Sequence, residues 1–181
     1  MTTVRTFEYE LLPDDAQHSE LIRNAGSYRF VFNRVLECQR SLAESGEPLM
    51  SCSRLLTALS CWKKAPQTAF LKPSIAAFLT QAVRQADAAV KRSADGSSED
   101  VLSHWPSFLR KSQGECMFCE PLRDFELDET RQQLRLPKIG WIAWRQRRPM
   151  MLEGSSGQVE AVQLRRRKDN RWFVVIRKRF E

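Results

Sequence analysis

The chain has 181 residues, 42% apolar and 28% charged, which supports a core of one ordinary domain or two small ones and excludes a disordered chain. No apolar run approaches the roughly 20 residues of a spanning helix, and MTTVRTFEYELL lacks the apolar core of a secretory signal, so a cytoplasmic protein without a membrane partner is expected. The net charge of +7 is uneven: residues 131–181 hold 14 Lys/Arg against 4 Asp/Glu (net +10), and residues 1–130 hold 15 against 18 (net −3).

In chain order, VRTFEYEL (residues 4–11) alternates apolar and polar side chains and predicts a short strand with one slip near Thr6. Pro13 stops it. Asp14 then caps a helix, with Gln17 at the reciprocal position and Leu21, Ile22 and Ala25 on its apolar face as far as Gly26. SYRFVFNRVLECQRSLAE predicts a second helix, ended by Ser45-Gly46-Glu47-Pro48. A third begins near Ser51 or Ser53, carries Leu55, Leu56, Leu59 and Trp62, and closes at Pro66. After Pro73, Ser74 caps a fourth that includes Phe78, Leu79, Ala82, Val83 and Val90. SADGSSED (93–100) is a linker.

From about Cys116 the period becomes strand-like: CMFCEPL, FELDE, QLRLP, GWIAWRQ, QVEAVQLRR and RWFVVIRKRF are short, aromatic or β-branched, and separated by turn residues. Arg167-Lys168-Asp169-Asn170 joins the last two as a hairpin. The first strand needs a sheet partner, and this later sheet is the one available. The expected architecture is therefore α+β: a small barrel or sandwich with a four-helix insert after its first strand. Its predicted parts are residues 1–12 (first strand), 13–111 (helical lobe) and 112–181 (β-barrel).

Arginine dominates the basic C-terminal third, and it suits bidentate phosphate contact and stacking. A clustered basic surface points to a polyanion, most often nucleic acid; a solvated surface without a partner is the alternative. Trp141 and Trp144, three apart on a strand, point to opposite faces, one for the core and one outside with the arginines; Trp144 is assigned the outer position, for stacking on a base. Arg145, Arg147 and Arg148 follow, placed to neutralise phosphates. Arg165, Arg166, Arg167, Lys168 and Arg171 would project from the hairpin tip toward an RNA backbone. Arg29 and Asn33 share a helical face and would meet a phosphate or base edge, or else link to a neighbouring helix. Lys63, Lys64 and Lys72 flank a helix junction. Cys116 and Cys119 have the spacing of half a zinc site but no second pair, so no metal or cofactor is expected. No catalytic constellation emerges from His18, His104 or the scattered acids. Glu126 and Asp128 share a strand face, as a metal pair or as a solvated edge.

Several stretches, in order, resemble the N-terminal half of the OrfB, or TnpB, family of insertion-sequence proteins, transposon-encoded RNA-guided DNA nucleases. They are FEYELLPDDAQHSELI, GSYRFVFNRVL (with Gly26, Arg29, Phe30 and Asn33 in place), WKKAPQTAFLKPSIAAFLTQAVRQADAAVKR, HWPSFLRK and LRLPKIGWIAWR. His104 replaces a glycine usual in that family. The resemblance implies an oligonucleotide-binding-like wedge barrel with an inserted helical recognition lobe, annotated in older schemes as a helix-turn-helix. It adds Ser74, Thr80, Gln81 and Arg84 as residues near DNA, and Arg110, Lys111 and Lys138 within the matching motifs as nucleic-acid contacts. The implied partners are a structured guide RNA and duplex DNA, with no small-molecule substrate. The family's RuvC-like nuclease domain is expected to be absent, so the chain is not expected to be an enzyme by itself. It would be a binding module, or one part of a split or interrupted RNA-guided endonuclease that needs a separate nuclease half. A non-binding remnant or interaction protein is the third possibility.

Overall fold

The computed structural model describes residues 2–95, 101–119, 125–146, 148–151 and 157–180. The chain divides into two compact units, Met1–Ala25 with Ser112–Glu181, and Gly26–Lys111.

The first unit is built on a seven-stranded antiparallel sheet: β1 (Thr3–Leu12), β2 (Glu115–Cys119), β3 (Glu126–Asp128), β4 (Gln133–Leu136), β5 (Gly140–Arg145), β6 (Gln158–Arg166) and β7 (Trp172–Phe180). Their order is β2-β6-β7-β1-β5-β4-β3, so the isolated first strand lies in the middle of the later sheet. It pairs with β7 from Thr3 opposite Phe180 to Glu10 opposite Phe173, and with β5 through Leu11 opposite Trp144. The two edges, β2 and β3, do not pair with each other among the described residues, so the hydrogen bonding is that of an open sheet rather than a closed barrel. Alternation identifies a half-buried strand but carries no information on whether two edges meet.

One face of the sheet is the core of this unit. Tyr9 and Leu11, Ile142 and Trp144, Val162 and Leu164, and Val174 and Ile176 are all buried, each pair two residues apart on one strand. Lys178 occupies the same face of β7 and is fully buried; its Nζ is bonded to the Glu129 carboxylate and donates to the Met150 carbonyl at 3.4 Å. The β4–β5 turn explains the Leu-Pro-Lys-Ile-Gly stretch. The Ile139 N–H donates to the Leu136 carbonyl at 3.2 Å, and Lys138 (φ 66°) and Gly140 (φ 88°) take the left-handed backbone that such a reversal needs.

Among the described residues there are three α-helices where four were predicted: α1 (Asp15–Glu44), α2 (Cys52–Lys64) and α3 (Ala76–Asp95). The first two predicted helices are one, running through Gly26. An interior glycine costs only about 1 kcal/mol, which the buried Leu21, Ala25, Tyr28, Val31 and Val35 on either side outweigh. Residues 13–25, predicted as part of the helical lobe, group with the sheet. There α1 starts with the expected reciprocal cap, Gln17 N–H to Asp14 Oδ1 at 2.8 Å and Asp14 N–H to Gln17 Oε1 at 3.1 Å. Gln17 Nε2 also donates to the Trp141 carbonyl, 2.8 Å away.

In the second unit Ser51 caps α2, accepting from the Arg54 N–H. Ala65, held extended by the following proline, ends that helix. A 3-10 turn, Pro66–Leu71, leads to α3, which starts at Ala76 and not directly after Ser74. The Ser74 hydroxyl is buried and donates to Ser27 Oγ at 2.8 Å. No described helix is long and apolar enough to cross a membrane.

Candidate nucleic-acid interface

Because Tyr9 and Leu11 point into the core, Glu8 and Glu10 of β1 point to the opposite face. Arg145 closes β5 opposite Glu10; Arg167 and Arg171 flank the β6–β7 hairpin; Phe173 lies opposite Glu10 on the other side. With Arg5 and Arg148 these residues line a cavity of about 700 Å³. Five arginines, from β1, from the end of β5 and the chain after it, and from the β6–β7 hairpin, thus border one cavity.

They do not all meet it free. Glu10 serves two of them, its Oε2 accepting from Arg145 Nη1 at 3.2 Å and its Oε1 lying 3.6 Å from Arg171 Nη1. Glu8 Oε1 accepts from Arg167 Nη2 at 2.6 Å. Arg171 also reaches Asp169 at 2.7 Å, and this hydrogen-bonded arginine holds the Asp169 carboxyl below the usual range. The Arg167 guanidinium covers the Phe173 ring at 3.9 Å, with that of Arg171 at 5.7 Å. These two fold back over an aromatic face instead of projecting from the hairpin tip. Among the described residues, Arg5 and Arg148 carry no ion pair.

The Arg148 segment is pinned from below. The Tyr9 hydroxyl donates to the Arg148 carbonyl at 2.8 Å, and Lys178 holds the Met150 carbonyl two residues on. Burial pushes the Tyr9 phenol up to about 12, with the negative charge of Glu129 adding to the shift.

Of the residues singled out from sequence, the cavity gathers Arg145, Arg148, Arg167 and Arg171. Arg165 is exposed on β6 and has no ion pair among the described residues; Arg166 is half-buried, its Nε on Asn170 Oδ1 at 2.9 Å. Lys168 and Lys138 are exposed at turns, and Arg147 lies outside the described residues, as do the side chains of Cys116 and Cys119. The assignment of the two tryptophans is reversed. Trp144 is 2% exposed and stacked on Tyr9 at 6.1 Å, so it offers no face to a base; Trp141 is the outer one, at 41%. Periodicity shows that the two face opposite ways, but which is inside depends on the register with Leu11. Arg5 was missed, since a lone basic residue in β1 acquires meaning only through its neighbours. Glu8 and Glu10 read as ordinary polar positions of an alternating strand.

In the second unit, Arg29 lines a groove of about 500 Å³ with Phe30, Asn33, Phe70 and Phe108. Phe70 (47%) and Phe108 (40%) are exposed, and neither had been marked. Asn33 is committed to structure: its Nδ2 donates to the Leu109 carbonyl at 3.0 Å and its Oδ1 accepts from the Leu109 N–H at 2.8 Å. Ser74 and Gln81 are buried and present no surface to DNA, because both fall on the packed side of α3 and its approach. Thr80 and Lys63 are half-buried; Lys64, Lys72, Arg84, Arg110 and Lys111 are exposed, and none of these seven lines either cavity. Glu126 takes Arg135 across the β3–β4 pair at 2.6 Å.

Residues 1–47, which form β1 and α1, match the helix-turn-helix domain of OrfB IS605-type proteins. Over 148 residues, 82% of this chain, the sequence is 30% identical to InsQ of Escherichia coli (strain K12), a protein named as an RNA-guided DNA endonuclease. Over 80 residues, 44% of the chain, it is 35% identical to a protein of Streptomyces pristinaespiralis named in the same way. The chain is thus similar, over most of its length, to part of OrfB/TnpB-type proteins. It spans about a third of the length of InsQ, 35%, and 20% of the Streptomyces relative. Within the OrfB/TnpB pattern, the family-like motifs hold β1 to α1, the Asn33–Leu109 link and the β4–β5 turn, while the cavity arginines lie mostly outside them.

Proposed function

We propose that this chain is the nucleic-acid-binding portion of a TnpB-like protein, engaging a structured guide RNA and target DNA through phosphate contacts of the sheet unit. The observation that carries this is that Arg5, Arg145, Arg148, Arg167 and Arg171 all line one cavity. Against those five stand two lining carboxylates, Glu8 and Glu10, so an excess of positive charge remains for a polyanion. Phosphate contacts of this kind position a backbone without reading bases. The sheet answers to the wedge of the family resemblance, and the exposed cations of the helical unit, such as Lys64, Lys72 and Arg84, would track duplex DNA. DNA cleavage is assigned to a nuclease function outside these residues.

The test is binding of a DNA duplex and an RNA hairpin to the full chain at several salt concentrations. Affinity is expected to fall linearly on a double-logarithmic plot, by about 0.9 log unit per phosphate neutralised on duplex DNA. Binding to neither, or an affinity indifferent to salt, would leave an interaction protein or remnant as the better description.

A further inference from the structure

We propose that Glu8 and Glu10 are specificity-determining residues: a built-in competitor that admits ligands of dense negative charge to the arginine cavity and turns away lone phosphates. The inference rests on the nucleic-acid reading above and adds to it a rule for which anions are accepted.

Three of the five cavity guanidiniums are already held by carboxylates of this chain, Arg167 by Glu8 and both Arg145 and Arg171 by Glu10. The two partners in each pair are not equally free to leave. Glu8 and Glu10 stand on β1, which is hydrogen-bonded through β7 at both positions and through β5 at Glu10, and Glu10 is mostly shielded from solvent. Their negative charges are therefore fixed in place. The arginines approach from a strand end and a hairpin on long, roughly half-exposed side chains. A ligand phosphate must draw those arginines away while it remains within reach of the two carboxylates.

Each pair is weak, since an exposed ion pair gains little against solvent and salt screening. A guanidinium carries five N–H donors, so it can turn some of them to an incoming oxygen. A polyanion spreads over several of the cations at once, sets a new contact against each pair it loosens, and is anchored by Arg5 and Arg148, which carry no ion pair among the described residues. A single phosphate reaches one or two arginines, loses one pair, and keeps the full repulsion of two carboxylates well inside the roughly 10 Å screening length of 0.1 M salt. The same charges that weaken every ligand therefore weaken the small ones most.

The experiment compares the wild-type chain with Glu8→Gln, Glu10→Gln and the double variant, measuring the affinity for a DNA duplex against salt and, separately, for inorganic phosphate. Glutamine keeps the shape and removes the charge, and thermal melts confirm that each variant folds. Neutralising Glu8 frees Arg167 and neutralising Glu10 frees Arg145, while Arg171 keeps Asp169 as a partner. The salt slope is expected to steepen by about one unit in each single variant and by nearly two in the double variant. Duplex affinity at low salt should rise at least about tenfold in the double variant, and phosphate binding, negligible in the wild type, should become measurable. If the wild type binds with a salt-dependent affinity but the variants bind no more tightly and with an unchanged slope, the carboxylates merely brace the arginines and this inference is overturned. If neither the wild type nor any variant binds the duplex at low salt, the nucleic-acid reading falls with it.

Discussion

Lys178 shows how one residue can contradict its strand's pattern and still be satisfied. It occupies an inward position of β7 between Ile176 and Phe180, where alternation calls for an apolar side chain, and Glu129 with the Met150 carbonyl offsets the cost. Glu129→Gln removes the counter-charge from a buried ammonium and should lower stability by about 1–3 kcal/mol in chemical denaturation. Adding Lys178→Met should return part of that loss, because an apolar side chain of similar length needs no partner there. An equally destabilised double variant would show that the pair itself matters less than the lysine stem. Tyr9 gives a pH signature at the same scale. Burial raises its folded-state pKa from 10 to about 12, so the unfolded chain ionises first as the pH rises. The stabilisation is complete below pH 10 and should be lost between pH 10 and about 12. Tyr9→Phe should flatten stability over that window, and a wild-type curve already flat there would contradict the buried, hydrogen-bonded phenol.

At the scale of elements, much was legible from the chain alone. All seven strands, the Asp14–Gln17 cap, the Ser51 cap and the stop before Pro66 follow from local chemistry: alternation, a side chain that returns to its own backbone, and a proline that forbids the preceding turn. What was not legible depends on distant packing. Gly26 reads as a helix stop, yet α1 passes through it, because buried residues on both sides outweigh a small backbone cost; the glycine marks the border between the two units instead. Ser74 and Gln81 look like surface polar groups until the packing of α3 is known, and Asn33 looks like a ligand until the loop at Leu109 comes back to it. Gly26→Ala tests the continuous helix. A Cβ there would meet only Arg29 Nη2 at 3.9 Å, an ordinary contact. The substitution should raise stability by up to about 1 kcal/mol. A loss of stability would mean that the backbone at 26 is not helical.

At the scale of the whole molecule, the +10 of the C-terminal third suggested a field of free arginines, and the structure distributes them more selectively. Arg177 and Arg179 are tied to Glu160, and Arg135 to Glu126. Arg145, Arg167 and Arg171 are shared with β1 carboxylates that net charge cannot reveal, because the pairing joins residues more than 130 positions apart. Only the folded sheet shows that Arg5, from the net-negative part of the chain, belongs with them. Net charge therefore pointed to a polyanion, and the fold decides which cations remain to meet one. The most direct test removes the two cavity arginines that carry no ion pair among the described residues. The salt dependence of duplex binding would be compared for the wild type, Arg5→Ala/Arg148→Ala, and Arg131→Ala, a control in the same unit that pairs with Asp128 outside the cavity. The double variant should lower the salt slope by about two and weaken binding across unrelated sequences alike, while the control changes neither. An undiminished slope in Arg5→Ala/Arg148→Ala would contradict the assignment of this cavity to phosphate.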